Sequence, residues 1–456
     1  MNIRIDKKIR DLFAEGGLRG QLLRGGLGSM LVKVLGTLIS FVVVIVLARA
    51  LGPAGYGTYA FVIALVSILA IPAQVGLPQL VTRETARAQS SQNWSLMQGL
   101  WRWSNRYVAL FSIAMIGLGI VLVWSAGDWL GDHRTKTLAV GLFLVPLIAL
   151  GNIRGAALRG LRRVVLGQLP ESVLRPLILL SLALVVFWST EDAIASPTLA
   201  IGLNVIAALL AFIGSAFLLH RFRPPALVVE KRSEMHGTAW RRAAIPLAML
   251  AGLQLINGYT DILMLGMFQD DEQVGIYRAV TQLALLVIFG LQAVNLVIQP
   301  YFARMHERGK HEQLQRLATM SARIVLLLAL PPVLVMIFAG RPLLEFLFGQ
   351  DFGAGAFALG ILAVGQLVNA AMGSVGVLLN MTGHERDTAK GVGVAAALNV
   401  VLNLLLIPPY GIEGAAIATA VTLIVWNFIL RSCVYKRLGV ESSALGASII
   451  KKSRRV

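Results

Sequence analysis

The sequence predicts an all-α polytopic membrane protein with about twelve transmembrane helices in two halves of six. Three observations predict this class. Hydrophobic residues make up 57% of the 456 residues and charged residues only 14%, whereas soluble domains contain about 25% charged residues. The apolar residues form continuous runs, unlike the alternating pattern of a membrane β-barrel. The loops between these runs alternate between basic and acidic along the chain.

Twelve segments are long enough to cross a bilayer, whose hydrocarbon core of about 30 Å requires roughly 20 apolar residues per helix. The fourth and fifth are weakened by Arg154, Arg159 and Arg175, and the tenth by its glycines. The segments are 28–49, 56–78, 106–126, 138–160, 173–190, 197–220, 243–268, 274–300, 319–340, 354–380, 391–409 and 412–435.

Residues 1–27 precede the first span and form a basic, amphipathic segment. Ile3, Ile5 and Ile9 are set among arginines and lysines, a pattern typical of a segment that lies on a membrane surface. A signal peptide is the alternative. We reject it because no small-residue cleavage site follows a short apolar core before the first span.

The distribution of charge predicts the orientation of the chain. Lys and Arg number 41 against 23 Asp and Glu, which gives a net charge of +18. Most basic residues lie in the N-terminal segment, in the loops after even-numbered spans and at the C-terminal end, whereas the other loops are mainly acidic. The positive-inside rule therefore predicts two cytoplasmic termini and an even number of spans. Because topology explains the net charge, we do not expect the chain to bind nucleic acid.

No sequence pattern indicates a metal, nucleotide or redox site. Cys433 is the single cysteine, which excludes an intramolecular disulfide, and the six histidines are scattered over helix ends and loops. The sequence has no HExxH motif and no Walker A motif. We expect no cofactor, no metal and no enzymatic activity, since no nucleophile–base constellation is recognisable at either membrane face.

Two short matches suggest that the chain is an internal duplication. Residues 57–59 (GTY) resemble 275–277 (GIY), and residues 160–163 (GLRR) resemble 383–386 (GHER), at similar separations. Chance similarity between Gly- and Ala-rich helices is the alternative. A duplication predicts a first lobe at 28–220, a basic cytoplasmic linker at 221–242, a second lobe at 243–436 and a basic cytoplasmic tail at 437–456. Parallel repeats of this kind are typical of alternating-access transporters, whose substrate site lies between the repeats near the midplane.

Polar side chains recur at helical spacing inside the predicted spans of both halves. They are unfavourable in a membrane and usually face a cavity or another helix. The amides could also serve only as hydrogen bonds between helices. The candidates for substrate contact are Lys33, Thr37, Gln254, Asn257, Asp261, Arg278, Gln282, Asn369 and Asn399.

Asp261 is the only acid well inside a predicted span, where such a residue costs about 2.5–3.5 kcal/mol. It could bind a coupling ion or pair with a cation in the cavity. The alternative is a structural role, as a salt bridge or a helix-packing hydrogen bond. Two roles are also possible for Lys33, because its side chain could extend to the membrane interface or contact an anionic headgroup.

Several segments resemble the polysaccharide-transporter branch of the multidrug/oligosaccharidyl-lipid/polysaccharide (MOP) superfamily, which contains the O-antigen flippases. The resemblance covers about residues 25–435. The Leu-Gly-Pro-x-x-Tyr-Gly turn in the first segment and the Asn-x-x-x-Asn to Pro-x-Tyr-Gly pattern in the last are the most specific. The segments are LARALGPAGYGTYAFVIALVSIL (47–69), GLPQLVTRETAR (76–87), ALRGLRRVVLGQLPESVLRPLILL (157–180), YTDILMLGMFQDDEQVGIYRAV (259–280) and LNVVLNLLLIPPYGIEGAAIATAV (398–421).

The resemblance implies a MATE-like fold of two six-helix lobes around a central cavity. It implies that the chain moves an undecaprenyl-diphosphate-linked oligosaccharide to the outer leaflet of the bacterial inner membrane. Lys33 and Arg278 with Asp261 would then form the site, with help from the amides, because a diphosphate carrying sugars suits cations and hydrogen-bond donors. The implied partners are membrane lipids, a polysaccharide polymerase and a chain-length regulator.

The chain departs from two other branches of this superfamily. Drug-extruding relatives often carry an acid in the first span, where this chain has Lys33. Lipid II flippases typically have two further C-terminal spans, whereas only 20 basic-rich residues follow position 436 here. Two alternatives stay open. One is a drug or metabolite exporter that uses Asp261 to couple to H⁺ or Na⁺, and the other is a membrane scaffold for glycan synthesis.

Overall fold

The structure of the protein is a computed structural model that describes residues 18–74, 76–125, 127–189, 196–229 and 233–446. Almost all of these residues are helical. Residues 1–17 of the predicted surface segment and residues 447–456 of the predicted tail lie outside the described ranges.

The helices are named here in chain order. The first eight are α1 (Leu18–Gln74), α2 (Leu77–Ser90), α3 (Trp94–Ser125), α4 (Gly127–Gly141), α5 (Leu144–Gly160), α6 (Val164–Leu169), α7 (Arg175–Ser189) and α8 (Pro197–Phe222), with a π-helical turn at Pro170–Leu174 between α6 and α7. The others are α9 (Ala226–Val229), α10 (Gly237–Phe268), α11 (Asp271–Ala284), α12 (Phe289–Glu307), α13 (His311–Phe338), α14 (Gly340–Phe348), α15 (Ala356–Met372), α16 (Val375–Met381) and α17 (Glu385–Leu438).

The all-α polytopic fold class is confirmed. Among the described residues, eight helical segments are long and apolar enough to cross a membrane, and the bent pair α11–α12 would make a ninth. Two of the eight contain two predicted spans each: α1 is 57 residues long and α17 is 54 residues long. The seventh predicted span falls on α10, so each predicted segment overlaps at least one helix of the described residues.

Single glycines divide the two long helices. Gly52 has φ 66° and ψ 176° inside α1, and Gly411 has φ 51° and ψ −125° inside α17. Side chains with a Cβ rarely adopt these backbone angles, so glycine is the residue that permits each break. Pro53 directly follows the first break, and Pro408 and Pro409 precede the second, which also disfavours a continuous helix.

The boundary predicted for the fifth span was wrong on its N-terminal side. The helical segment begins at Val164 and passes through the π-helical turn at Pro170–Leu174 into α7, rather than beginning near residue 173. Gly167, Glu171 and Arg175 lower the local hydropathy, so the sequence pattern assigned these turns to a loop.

The chain divides into two compact units, which are described separately. Unit 1 contains Met1–Val46, Val66–Ile194 and Thr198–Ala251, and unit 2 contains Leu47–Leu65, Ala195–Pro197 and Gly252–Val456. Leu47–Leu65, which surround Gly52 and are called the elbow below, therefore pack within unit 2.

Each unit has its own packed interior. In unit 1, α2 lies against α5, where the Thr82 hydroxyl donates to the Ala156 carbonyl at 3.2 Å. In unit 2, one apolar cluster joins α12, α13, α16 and α17. Phe302, Leu314, Leu378 and Val434 are among its fully buried side chains. These interiors hold the polar side chains described next in fixed positions.

Candidate functional site

The Asp261 carboxylate lies at the centre of a polar cluster in unit 2. Asn403 Nδ2 donates to Asp261 Oδ1 at 2.6 Å, and the Tyr277 hydroxyl donates to Oδ2 at 3.0 Å. The Thr419 hydroxyl also donates to Oδ2. Asn399 Oδ1 accepts from Asn403 Nδ2 at 3.0 Å and extends the cluster by one helical turn. We call these five residues the Asp261 cluster.

The break at Gly411 is what assembles this cluster. Asn399 and Asn403 are four residues apart and therefore share one face of the first half of α17. The chain reverses at Gly411, so Thr419 in the second half returns to the same carboxylate. Tyr277 on α11 closes the remaining side, and its hydroxyl lies 3.4 Å from the Ala415 carbonyl oxygen and 3.2 Å from Thr419 Oγ1.

The cluster is rich in oxygen atoms and holds one carboxylate. Within the described ranges, Asp261 forms no ion pair, and Asn403 Oδ1 is buried without a hydrogen-bond partner. Carboxylate, amide, hydroxyl and carbonyl oxygens are the ligands of hard cations. No group of three His, Cys, Asp or Glu side chains is gathered anywhere in the described residues. The arrangement can therefore hold a proton on Asp261 or a small monovalent cation among these oxygens.

The cations predicted to accompany Asp261 have other contacts within their own units. Arg278 on α11 interacts with the buried Tyr56 hydroxyl of the elbow. Lys33 and Thr37 lie on α1 in unit 1 with exposed side chains, and the Thr37 hydroxyl donates to the Lys33 carbonyl at 2.8 Å. Of the predicted candidates, the structure thus brings Asp261 and Asn399 together, and it does not bring Arg278 into contact with the carboxylate.

The remaining candidates differ in their surroundings. Asn369 on α15 accepts from Asn427 Nδ2 of α17 at 3.0 Å, which is a hydrogen bond between helices. It also donates to Gln366 Oε1 of its own helix at 3.3 Å. Gln282 is partly exposed and forms no hydrogen bond within the described residues. The side chains of Gln254 and Asn257 lie outside the described part of the structure.

Glu171 is an acid in a candidate membrane span that the sequence pattern did not identify. The sequence pattern singled out Asp261, whereas Glu171 lies in a helical segment, Val164–Val186, that is also long and apolar enough to cross a membrane. Glu171 Oε2 accepts from Arg175 Nη1 at 3.3 Å, and Arg175 Nη2 donates to Asn204 Oδ1 at 3.1 Å. The spacing of Glu171 and Arg175, four residues apart, was the available signal for this pair.

The two glycines that indicated an internal repeat lie against each other in unit 2. A Cβ on Gly57 would lie 1.7 Å from the Asp271 carbonyl oxygen, and a Cβ on Gly275 would lie 1.9 Å from the Pro53 carbonyl oxygen. The Thr58 hydroxyl donates to Asp271 Oδ2 at 2.7 Å beside them. The elbow therefore contacts the start of α11 at backbone distance, which only glycines at both positions allow.

Two family models match this chain. One, described as polysaccharide biosynthesis protein, matches residues 22–306, and one, described as lipid II flippase MurJ, matches residues 177–454. Among curated proteins, the "Probable low-salt glycan biosynthesis flippase Agl15" of Haloferax volcanii is 23% identical over 416 residues. That alignment covers 90% of this chain and 83% of the relative.

Solved structures share the fold at low sequence identity. An inward-facing multidrug resistance MATE family transporter of the MOP superfamily superposes with a TM-score of 0.71 at 12% identity, covering 91% of this chain and 98% of that one. Lipid II flippase MurJ in an inward closed conformation superposes with a TM-score of 0.68 at 15% identity, covering 90% of this chain and 87% of that one. At these identities the likeness concerns the fold.

Proposed function

We propose a function for this chain from the premise that it belongs to the polysaccharide biosynthesis protein family of the MOP superfamily. It is a membrane flippase for a lipid-linked polysaccharide precursor and not an enzyme. The observation that carries this proposal is the match of the two family models, which together extend from residue 22 to residue 454. The finer proposal is that the cargo is an undecaprenyl-diphosphate-linked oligosaccharide, moved from the cytoplasmic to the outer leaflet of a bacterial inner membrane.

The proposed mechanism is alternating access of two six-helix lobes, at 28–220 and 243–436. The elbow and α11 meet at backbone distance at Gly57 and Gly275, and the proposal is that this contact opens during transport. Lys33 and Arg278 are the proposed contacts for the diphosphate, and Thr37, Gln254, Asn257 and Gln282 are proposed contacts for sugars. A polymerase and a chain-length regulator are the proposed protein partners.

The Asp261 cluster is the proposed coupling site. A carboxylate with hydroxyl and amide donors, and with no ion pair among the described residues, gains from binding H⁺ or Na⁺ because its charge is otherwise uncompensated inside the membrane. The same cluster is the feature that favours the second candidate function, a cation-coupled exporter of drugs or metabolites.

The first experiment separates the two candidate functions. Lipid-linked oligosaccharides are extracted from cells lacking the protein, and their amount and leaflet are measured. A flippase predicts that complete units accumulate on the cytoplasmic side and that surface polysaccharide is lost. Unchanged lipid-linked oligosaccharide together with lost efflux of dyes would instead establish the exporter.

Asp261→Asn tests the coupling site. This substitution keeps the shape of the side chain but removes its charge, so we expect transport to fall by about tenfold or more at normal protein level. Replacing Na⁺ by K⁺, or collapsing the pH gradient, should then have no further effect on the variant, and the condition that lowers wild-type transport identifies the ion. Asp132→Asn, the same change at an exposed acid, is the matched control and should leave transport unchanged. Full ion-dependent transport by Asp261→Asn would contradict the assignment.

A further inference from the structure

A short segment beyond the last helix is packed into unit 2. Residues 440–444, called the strap below, have relative exposures of 1–6%. α17 ends before them at Gly439, which has φ 64°. The strap is joined to α15, where the Ala444 backbone N–H donates to the Ala371 carbonyl at 2.9 Å. Gly373 makes room for it, since a Cβ there would lie 2.9 Å from the Ser442 carbonyl oxygen.

Side chains from two helices donate to four oxygen atoms of the strap. Arg431 Nε and Nη2 donate to the two carboxylate oxygens of Glu441 at 2.6 and 2.7 Å. Gln315 Nε2 and the Thr319 hydroxyl donate to the Glu441 carbonyl oxygen at 2.6 and 3.3 Å. Arg323 Nε donates to the Ala444 carbonyl oxygen at 2.9 Å. A planar arginine fork and several neutral donors around one group of oxygens also match the geometry of a phosphate.

The charges beneath the strap are unbalanced. Arg431 forms an ion pair with Glu441, whereas Arg323 forms no ion pair within the described residues and has an exposed side chain. The strap therefore supplies one negative charge to two arginines. Without Glu441 both guanidinium groups would lack an anion near the end of a membrane-spanning helix, which is an unfavourable state that another anion relieves.

Polar contacts rather than apolar burial hold the strap. Its buried apolar side chains are Val440 and Ala444, while Glu441, Ser442 and Ser443 fill the remainder. Each of its hydrogen-bond acceptors is an oxygen atom that a phosphate oxygen can replace. Exchange of the strap for a phosphate would thus offer new acceptors to the side-chain donors, which loss of the strap alone would leave without any. Gln315 Oε1 and the Ala371 carbonyl would lose the backbone N–H donors of Glu441 and Ala444 in either case.

We propose that the strap occupies an anion-binding pocket of unit 2 and competes there with the phosphate of an inner-leaflet lipid headgroup for Arg431 and Arg323. The pocket is a site separate from the Asp261 cluster. Its assignment to the inner leaflet rests on the proposed orientation of the chain. Binding to it can be measured on purified protein without any transport assay, so its failure would be distinct from a failure of the proposed flippase function.

The test uses Glu441→Gln in the full chain, with Glu385→Gln as the matched control. Glu385 is an exposed acid on the first turn of α17, so both variants lose one negative charge. Binding of fluorescent phosphatidylglycerol is measured in neutral detergent micelles. We expect Glu441→Gln to bind about tenfold more tightly than wild type. The control should not change, and adding Arg431→Gln or Arg323→Gln to Glu441→Gln should abolish the gain.

Further measurements keep the proposal open to contradiction. Gln315→Ala loosens the strap while both arginines remain, and it should also tighten binding if Glu441→Gln does not fold. The gain should be smaller than for Glu441→Gln, because Gln315 is itself one of the donors in the pocket. Competition by inorganic phosphate would indicate that the phosphate group itself is recognised, and competition by phosphatidylglycerol alone would indicate the lipid. Equal binding by wild type, Glu441→Gln and Gln315→Ala, or a gain that survives loss of both arginines, would overturn the proposal.

Discussion

Glu171 and Arg175 lie one helical turn apart in a segment that is apolar enough to cross a membrane. Their side chains are 23% and 17% exposed, so each needs the other to compensate its charge. Asn204 accepts from Arg175 on the far side and fixes the guanidinium. A pair of this kind is hard to break one residue at a time, because the partner that stays behind keeps its charge and loses its counterion.

Glu171→Ala should therefore destabilise the protein by about 3 kcal/mol, seen as a lower midpoint of thermal unfolding in detergent. Replacing both residues by Met should recover most of this loss, since it removes both charges together. Asp132→Ala is the control, because Asp132 and its partner Lys136 are both exposed, and such pairs contribute about 0–1 kcal/mol. A double Met variant as unstable as Glu171→Ala would show that the charges themselves are not the reason.

The Glu441 carboxyl group is a second residue whose environment makes a prediction. Burial raises its pKa, but the hydrogen bonds from Arg431 and from the Ser443 backbone lower the pKa by a larger amount. The pKa therefore lies below its ordinary value of 4.5. A depressed pKa in the folded state stabilises the protein above the pKa of the unfolded state. That stabilisation is lost as the pH falls through the folded value.

The midpoint of thermal unfolding should accordingly fall between pH 5 and more acidic values by a larger amount in the wild type than in Glu441→Gln. The variant has no carboxyl group to titrate at this position, so its curve should be flatter over the acidic limb. Parallel curves for the two proteins would mean that the Arg431–Glu441 pair does not stabilise the fold.

The elbow is the element whose sequence is most constrained. Gly52 supplies a backbone conformation with positive φ, and Gly57 supplies a surface without a side chain. Arg49 adds a tie to α14, where its Nε donates to the Leu347 carbonyl at 2.9 Å. Basic groups at a helix C-terminus are favourable because the last carbonyls there lack helical partners. The elbow is thus held to the rest of unit 2 by the contacts of Arg49 and Gly57, on either side of the break at Gly52.

Locking the elbow tests whether it must separate from α11 during transport. Thr58→Cys with Asp271→Cys, in a chain carrying Cys433→Ser, joins the two side chains whose oxygens lie 2.7 Å apart. We expect oxidation to stop flipping and a reductant to restore it, because alternating access requires the closure to open. Each single cysteine variant is a control and should be insensitive to the oxidant. Full activity of the cross-linked protein would contradict a moving elbow.

Different parts of the last helix, α17, contact different groups of unit 2. Near Gly411 its two halves meet around Asp261, and beyond Leu438 the strap returns to α13 and α15. Asn427, between the two ends, is hydrogen bonded to Asn369. One hairpin of helix therefore carries the coupling candidate, a helix-packing amide and the proposed anion pocket.

At the scale of the whole molecule, charge distribution carries the strongest prediction. The chain has 41 basic and 23 acidic residues, and most of the basic residues lie in alternate loops. Translocation of these basic loops across the membrane is disfavoured. The orientation follows from these loops taken together, since no single residue decides it.

Orientation is checked with single cysteines in a chain carrying Cys433→Ser. Asp132→Cys lies in an acidic loop and should react with a membrane-impermeant thiol reagent added to intact cells. Arg308→Cys lies in a basic loop and should react only after the membrane is opened. The reverse pattern would place the termini on the outer side and would also reverse the proposed leaflet of the anion pocket.

The sequence by itself determined the features that depend on local composition. Twelve apolar segments follow from the length that a bilayer requires, and the breaks at Gly52 and Gly411 follow from residues that disfavour a helix. Asp261 was recognisable because an acid inside an apolar run is unfavourable wherever the chain folds. Composition did not predict the beginning of the helix that contains Glu171, because charged residues lower the hydropathy there.

Only the tertiary structure decided which side chains meet. Tyr277 and Thr419 reach Asp261 from positions 16 and 158 residues away along the chain. Arg431 and Arg323 meet the strap within a stretch whose sequence reads as a polar tail. Hydropathy measures the free energy of transfer of one segment into the membrane and contains no information about its contacts with other segments. Contacts between distant segments depend instead on the direction of the chain after the breaks at Gly52 and Gly411. Tertiary packing sets that direction.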